Sequence, residues 1–104
     1  MANKIKNKQV KDAYFKLFES VSEILFRVDP VGIASGKENP NEYDAEAGEI
    51  IAKLGGCRSE QEALTVVYDT FCDRFDKKTA GPKAKYTKVA GEIWRVYRAF
   101  ADGK

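Results

Sequence analysis

Apolar residues recur at helical spacing in four stretches of the chain. From Gln9 to Val28, the positions Val10, Tyr14, Leu17, Phe18, Val21, Leu25 and Val28 follow the i, i+3, i+4, i+7 rule of an amphipathic helix, and Phe15, Ile24 and Phe26 widen the stripe. Asp29-Pro30 ends it, because proline disfavours the α conformation of the residue before it. The next dozen residues, Val31 to Glu42, contain two glycines and a proline without periodicity and predict a loop.

A second helix is expected to start near Asn39 or Asn41, either of which can cap. Pro40 is tolerable in its first turn, and Glu42, Asp44 and Glu46 are favoured there by the helix dipole. Tyr43, Ala47, Ile50, Ile51 and Leu54 give its buried face, and Gly55-Gly56 predicts a left-handed C-cap. Ser59-Glu-Gln-Glu62 fits a capping box that opens a third helix running to about Phe75, with Ala63, Leu64, Val67, Tyr68, Phe71, Cys72 and Phe75 on its apolar face and Asp69, Asp73 and Asp76 on other faces. Lys77 to Lys83 is a break. Pro82 takes the first helical position of a last helix over 83–101, whose stripe is Tyr86, Val89, Ala90, Ile93, Trp94, Tyr97 and Phe100. Strand-type alternation and internal repeats are missing, so the pattern predicts one all-α domain over 1–104, a compact bundle of about four helices.

Composition narrows the chemistry more than it alters that architecture. At 104 residues the chain suits one domain. It has no histidine, which removes Ser-His-Asp and Cys-His nucleophiles and histidine metal sites. Two cysteines alone do not make a four-ligand zinc site; Cys72 reads as a small core residue and Cys57 as a loop residue. Apolar runs such as Ile24-Leu25-Phe26 fall far short of the roughly 20 residues a membrane span needs. The basic start, Met1 to Lys8, is followed by no apolar signal core, so the expected location is the cytoplasm. No P-loop, dinucleotide fingerprint, nucleophile elbow or calcium-loop register occurs, and no cofactor is implied.

The net charge of +2 conceals a block structure. Residues 1–28 hold six basic and three acidic residues (+3), residues 29–56 two and six (−4), residues 57–76 two and five (−3), and residues 77–104 eight and two (+6). An acidic middle thus lies between basic ends. Asp29, Glu38, Glu42, Asp44, Glu46 and Glu49 are the candidate partner-binding residues. On the basic side, Lys77, Lys78, Lys83, Lys85, Lys88, Arg95 and Arg98 interleave with Tyr86, Trp94 and Tyr97, a combination that suits phosphate contacts and base stacking. Those aromatics, however, fall on the apolar stripe and are more simply core.

One stretch carries a resemblance. Phe26-Arg-Val-Asp29-Pro30-Val31-Gly32-Ile33, then Asn41-Glu42-Tyr43-Asp44-Ala45-Glu46 with Ile50 and Leu54, resembles a group of small bacterial helical proteins of unknown function. Their pattern is a Trp-Asp-Pro-Ile/Leu-Gly turn, a short loop, and Asp-Glu-Tyr-Asp/Glu opening a helix; Val28 stands here for the Trp and Asn41 for the first Asp. Proteins similar to these include immunity proteins that accompany bacterial toxins. The resemblance implies an all-helical fold, brings no catalytic residue, and places Tyr43 near the Asp29-Pro30 turn. Together with the acidic middle it leads to the expectation of a non-catalytic protein-binding module of immunity type, neutralising a protein partner such as a basic nuclease toxin domain. The alternative is a nucleic-acid-binding or regulatory protein acting through its basic N- and C-terminal segments. An enzyme using Asp29 and a second carboxylate is the weakest expectation.

Overall fold

The pattern of apolar stripes becomes helix almost throughout. The computed structural model describes the backbone of residues 2–32 and 40–102 and the side chains of 13–32 and 42–102. It contains α1 (Ala2–Val28), a 3₁₀ turn (Pro40–Tyr43), α2 (Asp44–Leu54), α3 (Glu60–Arg74), a one-turn α4 (Lys77–Ala80), a second 3₁₀ turn (Lys83–Tyr86) and α5 (Thr87–Asp102). The four longer helices form the expected all-α bundle: α1 packs on α2 and α5, and α3 packs on the same two. Leu17, Val21 and Leu25 of α1, Ile50 and Leu54 of α2, Val67 and Phe71 of α3, and Val89 and Ile93 of α5 meet in the core. Phe71 anchors its aromatic part, with ring centroids 5.8 Å from Tyr43 and Phe75 and 5.4 Å from Tyr86.

Several boundaries differ from expectation, each for a local reason. α1 begins at Ala2 and not near Gln9, since the polar run before Val10 contains no Gly or Pro to stop it. Asn41 lies inside a 3₁₀ turn and does not cap α2, which starts at Asp44 behind Tyr43 with no side-chain cap; Asn39 is outside the described residues. Gly55 is right-handed (φ −58°) and not the left-handed cap its sequence suggested. The helix instead tightens, as the Gly56 amide donates to the Lys53 carbonyl (3.2 Å) and the Cys57 amide to that of Leu54 (3.0 Å).

The capping box at α3 forms with an offset. The Glu62 amide donates to Ser59 Oγ (3.2 Å), but the Glu62 carboxylate accepts from the Arg58 amide (2.6 Å), one residue earlier than in the usual box. Within the expected break, Asp76 caps α4 by accepting from the Thr79 amide at 2.6 Å, which lowers its carboxyl pKa below the usual range. Gly81 (φ +83°) then reverses the chain, and Pro82 stands extended ahead of the 3₁₀ turn, one step before the helical position expected for it. The buried Tyr86 hydroxyl donates to the Ala80 carbonyl at 2.6 Å and locks this connection to the core. Tyr14 and Phe15 of α1 are exposed, Phe15 by 60%.

Candidate functional site

Asp29 ends α1 in the left-handed region (φ +50°), where short polar side chains are the non-glycine residues best tolerated. Its amide donates to the Leu25 carbonyl at 2.7 Å. Tyr43, fully buried, donates its hydroxyl to Asp29 Oδ1 (2.6 Å), and the Val31 amide approaches the same hydroxyl at 3.4 Å. The turn and the entry to α2 are therefore one unit, and Asp29 serves the fold.

The acids of α2 divide by helix face. Glu46 is 7% exposed, with Oε2 3.5 Å from Arg74 Nε of α3. Glu49 Oε2 lies 3.2 Å from the same nitrogen, and its Oε1 is 3.5 Å from Lys53 Nζ. One guanidinium thus bridges two carboxylates across the α2–α3 seam. Glu46 Oε1 is buried without a hydrogen-bond partner among the described residues, which makes Arg74 the group that compensates this carboxylate. Glu42 and Asp44 are half-buried, and Glu38 lies outside the described residues. Among the five described candidates, Asp29 and Glu46 are drawn into the structure and Glu49 is shared with Arg74, so those five do not form one open patch.

Two further acids, Asp69 and Asp73, stand exposed one turn apart on α3, the second beside Arg74 in the chain. They lie on the helix that Arg74 ties to α2 through Glu46 and Glu49. Across α2 and α3 the only cations are Lys53 and Arg74, and both already face carboxylates.

The remaining reactive groups are quiet. Cys57 and Cys72 are free and half-buried. The Cys57 thiol donates to the Lys53 carbonyl at 3.7 Å, and burial together with the nearby Glu62 charge raises its pKa above the usual thiol range, which disfavours the nucleophilic thiolate. Cys72 sits beside the Tyr68 hydroxyl, whose pKa is raised chiefly by that hydrogen bond. Among the described residues no group of three or more Cys, Asp or Glu side chains is arranged to hold a metal ion, and no helix is long and apolar enough to cross a membrane. On the basic side Lys77, Lys78, Lys83, Lys85 and Lys88 are exposed, whereas Tyr86 is buried and Trp94 stacks on Tyr97 with centroids 6.0 Å apart, both half-buried.

No protein-family profile, curated protein or solved structure matches the chain.

Proposed function

We propose that the chain is a non-catalytic protein-binding module of immunity type, which neutralises a basic partner, such as a nuclease toxin domain, by covering it with the acidic edge formed by α2 and α3. The observation that carries this reading is that Asp69 and Asp73 are exposed on α3 and Glu49 is half-buried on α2, two helices whose only cations are already paired. A surface of one sign steers an oppositely charged partner and raises its association rate roughly 10- to 1,000-fold at low salt. A reducing compartment such as the cytoplasm suits the two free thiols.

The test is inhibition of basic nuclease domains encoded beside the gene, measured with wild type and with the reversal variant Asp44→Lys/Asp69→Lys/Asp73→Lys. Association should slow at least tenfold at low salt, and the salt dependence should flatten. Inhibition that survives the reversals with unchanged salt dependence would sink the acidic-edge mechanism. The five exposed lysines between Lys77 and Lys88 favour the alternative, nucleic-acid binding. Mobility shifts with RNA and DNA at two salt concentrations separate the two readings, because phosphate contacts weaken steeply with salt.

A further inference from the structure

The stretch between α3 and α5 is a fixed and strongly basic strap. Residues 77–88 hold five lysines and no acidic residue. Asp76 caps the first turn of the strap, Gly81 reverses it, the Tyr86 hydroxyl ties it to the Ala80 carbonyl, and Lys83 Nζ donates to Thr65 Oγ1 at 2.9 Å. Thr65 precedes the end of α3 by nine residues, so the strap runs back along about 14 Å of that helix. Lys85 folds over the reversal at Gly81, with its Nζ 5.9 Å from the centre of the Tyr86 ring.

The charge on this strap is open. Lys77, Lys78, Lys83, Lys85 and Lys88 are all exposed, and none forms an ion pair among the described residues. Two groups of carboxylates border it: Asp69 and Asp73 follow Thr65 along α3 at steps of four residues, and Glu60 lies beside Gly91, one turn beyond Lys88. Apolar groups are sparse on its outer surface, since Ala80 and Tyr86 are buried and only Pro82 and Ala84 are exposed. The aromatics that interleave with the basic residues in the sequence are occupied. Tyr86 is in the core, and Trp94 is engaged by Tyr97 (6.0 Å) and Arg98 (5.7 Å).

We infer that the strap is a contact surface for the phosphate backbone of nucleic acid, and that it reads neither base sequence nor exposed bases. The inference rests on the second reading above, nucleic-acid binding, and confines it to residues 77–88, leaving out the basic N-terminal segment; it does not depend on the acidic edge. The ionic character of the surface selects among anionic partners. A protein interface is built around an apolar or aromatic centre, and a bilayer holds a surface segment through an apolar helix face; the strap has neither. A phosphate backbone, in contrast, supplies affinity through released counterions alone. About 14 Å of duplex carries about eight phosphates, enough to engage all five lysines.

The experiment is fluorescence anisotropy of the full chain with two labelled 20-base-pair DNA duplexes of unrelated sequence and with their separated strands. A Glu-rich peptide and phosphatidylserine vesicles serve as competing anions. The two duplexes should bind within about twofold of each other and at least as tightly as the single strands, with Trp94 fluorescence unchanged. Log affinity should fall against log salt with a slope of about −3 to −4.5. Lys83→Glu/Lys85→Glu/Lys88→Glu should weaken duplex binding by about thirtyfold or more at low salt and flatten that slope by about two to three. Lys4→Glu/Lys6→Glu/Lys8→Glu should weaken it at least about five times less, with near-ultraviolet circular dichroism reporting that each variant stays folded. Absence of duplex binding at low salt removes the nucleic-acid reading and this inference with it. Binding that survives the strap reversals, or that the N-terminal reversals reduce equally, overturns the inference and leaves that reading standing. So does a preference for one duplex, or for single strands with quenching of Trp94. Displacement of the duplex by equal charge concentrations of the peptide or the vesicles overturns the choice of partner and with it the inference.

Discussion

At Tyr43 a single hydroxyl joins segments fourteen residues apart, and its partner Asp29 is held in a backbone conformation unusual outside glycine. Hydrogen bonds to a charged group contribute about 1.5–3 kcal/mol, so Tyr43→Phe should lower unfolding free energy by about that amount, with the midpoint of urea unfolding shifted and its slope unchanged. A second buried phenol sets the response to alkali. Burial raises the Tyr86 pKa to about 12 from the ordinary 10. Its neutral form therefore contributes stability in full below pH 10, and this is lost as pH rises from 10 through 12. The loss is about 2–3 kcal/mol at 1.36 kcal/mol per unit. Tyr86→Phe should lack this titration while losing the bond to the Ala80 carbonyl, and base unfolding curves of the two proteins should converge above pH 12. Proximity of Tyr43 to the Asp29-Pro30 turn was legible in the sequence, because Asp29-Pro30 stops one helix and the Tyr43 stretch opens the next. Burial of Tyr86 was legible from its place on the apolar stripe. Its bond to Ala80 was not, because that bond depends on the one-turn α4, which arises from the Asp76 cap and the Gly81 reversal within a stretch that reads as a break.

Among the elements, α2 shows most clearly where sequence reasoning succeeds and stops. Its buried face, Ala47, Ile50, Ile51 and Leu54, follows from periodicity, but its start and its end do not. Local signals identify which residues are able to cap, whereas here the tie between Tyr43 and Asp29 fixes where the chain enters the helix. Gly48 is half-buried within α2, and a methyl group there would meet Phe18 Cε2 at 3.7 Å, an ordinary contact. Gly48→Ala should therefore stabilise the protein by about 1 kcal/mol, the difference in helix propensity, seen as a higher urea midpoint. The bond between α2 and α3 has the opposite sensitivity. Arg74 is part-exposed and Glu46 almost buried, so Arg74→Met should cost about 2 kcal/mol, between the values typical of exposed and of buried pairs. Adding Glu46→Gln should recover much of that loss, because the orphaned charge is removed; a double-mutant cycle with no coupling would show that the bridge is energetically idle.

For the whole molecule, the near balance of 18 basic and 16 acidic residues divides into segments of opposite sign. The block structure was legible in the chain. How much of it stays available was not, since that depends on which helices become neighbours: Arg74, an isolated base in an acidic stretch, has no evident role until α3 lies against α2. The fold takes up Asp29, Glu46 and part of Glu49, and leaves Asp69 and Asp73 to solvent. The shared guanidinium has a consequence for any partner at this edge. A partner that brings its own cation to Glu49 competes with Arg74 for that carboxylate. If it draws Arg74 away as well, it strands the charge of Glu46 in the interior, so part of the gain at the surface returns as loss in the seam beneath. Partners that reach Asp69 and Asp73 while leaving the bridge closed avoid that opposing effect, and the bridge thereby sets a preference among cationic partners without touching them.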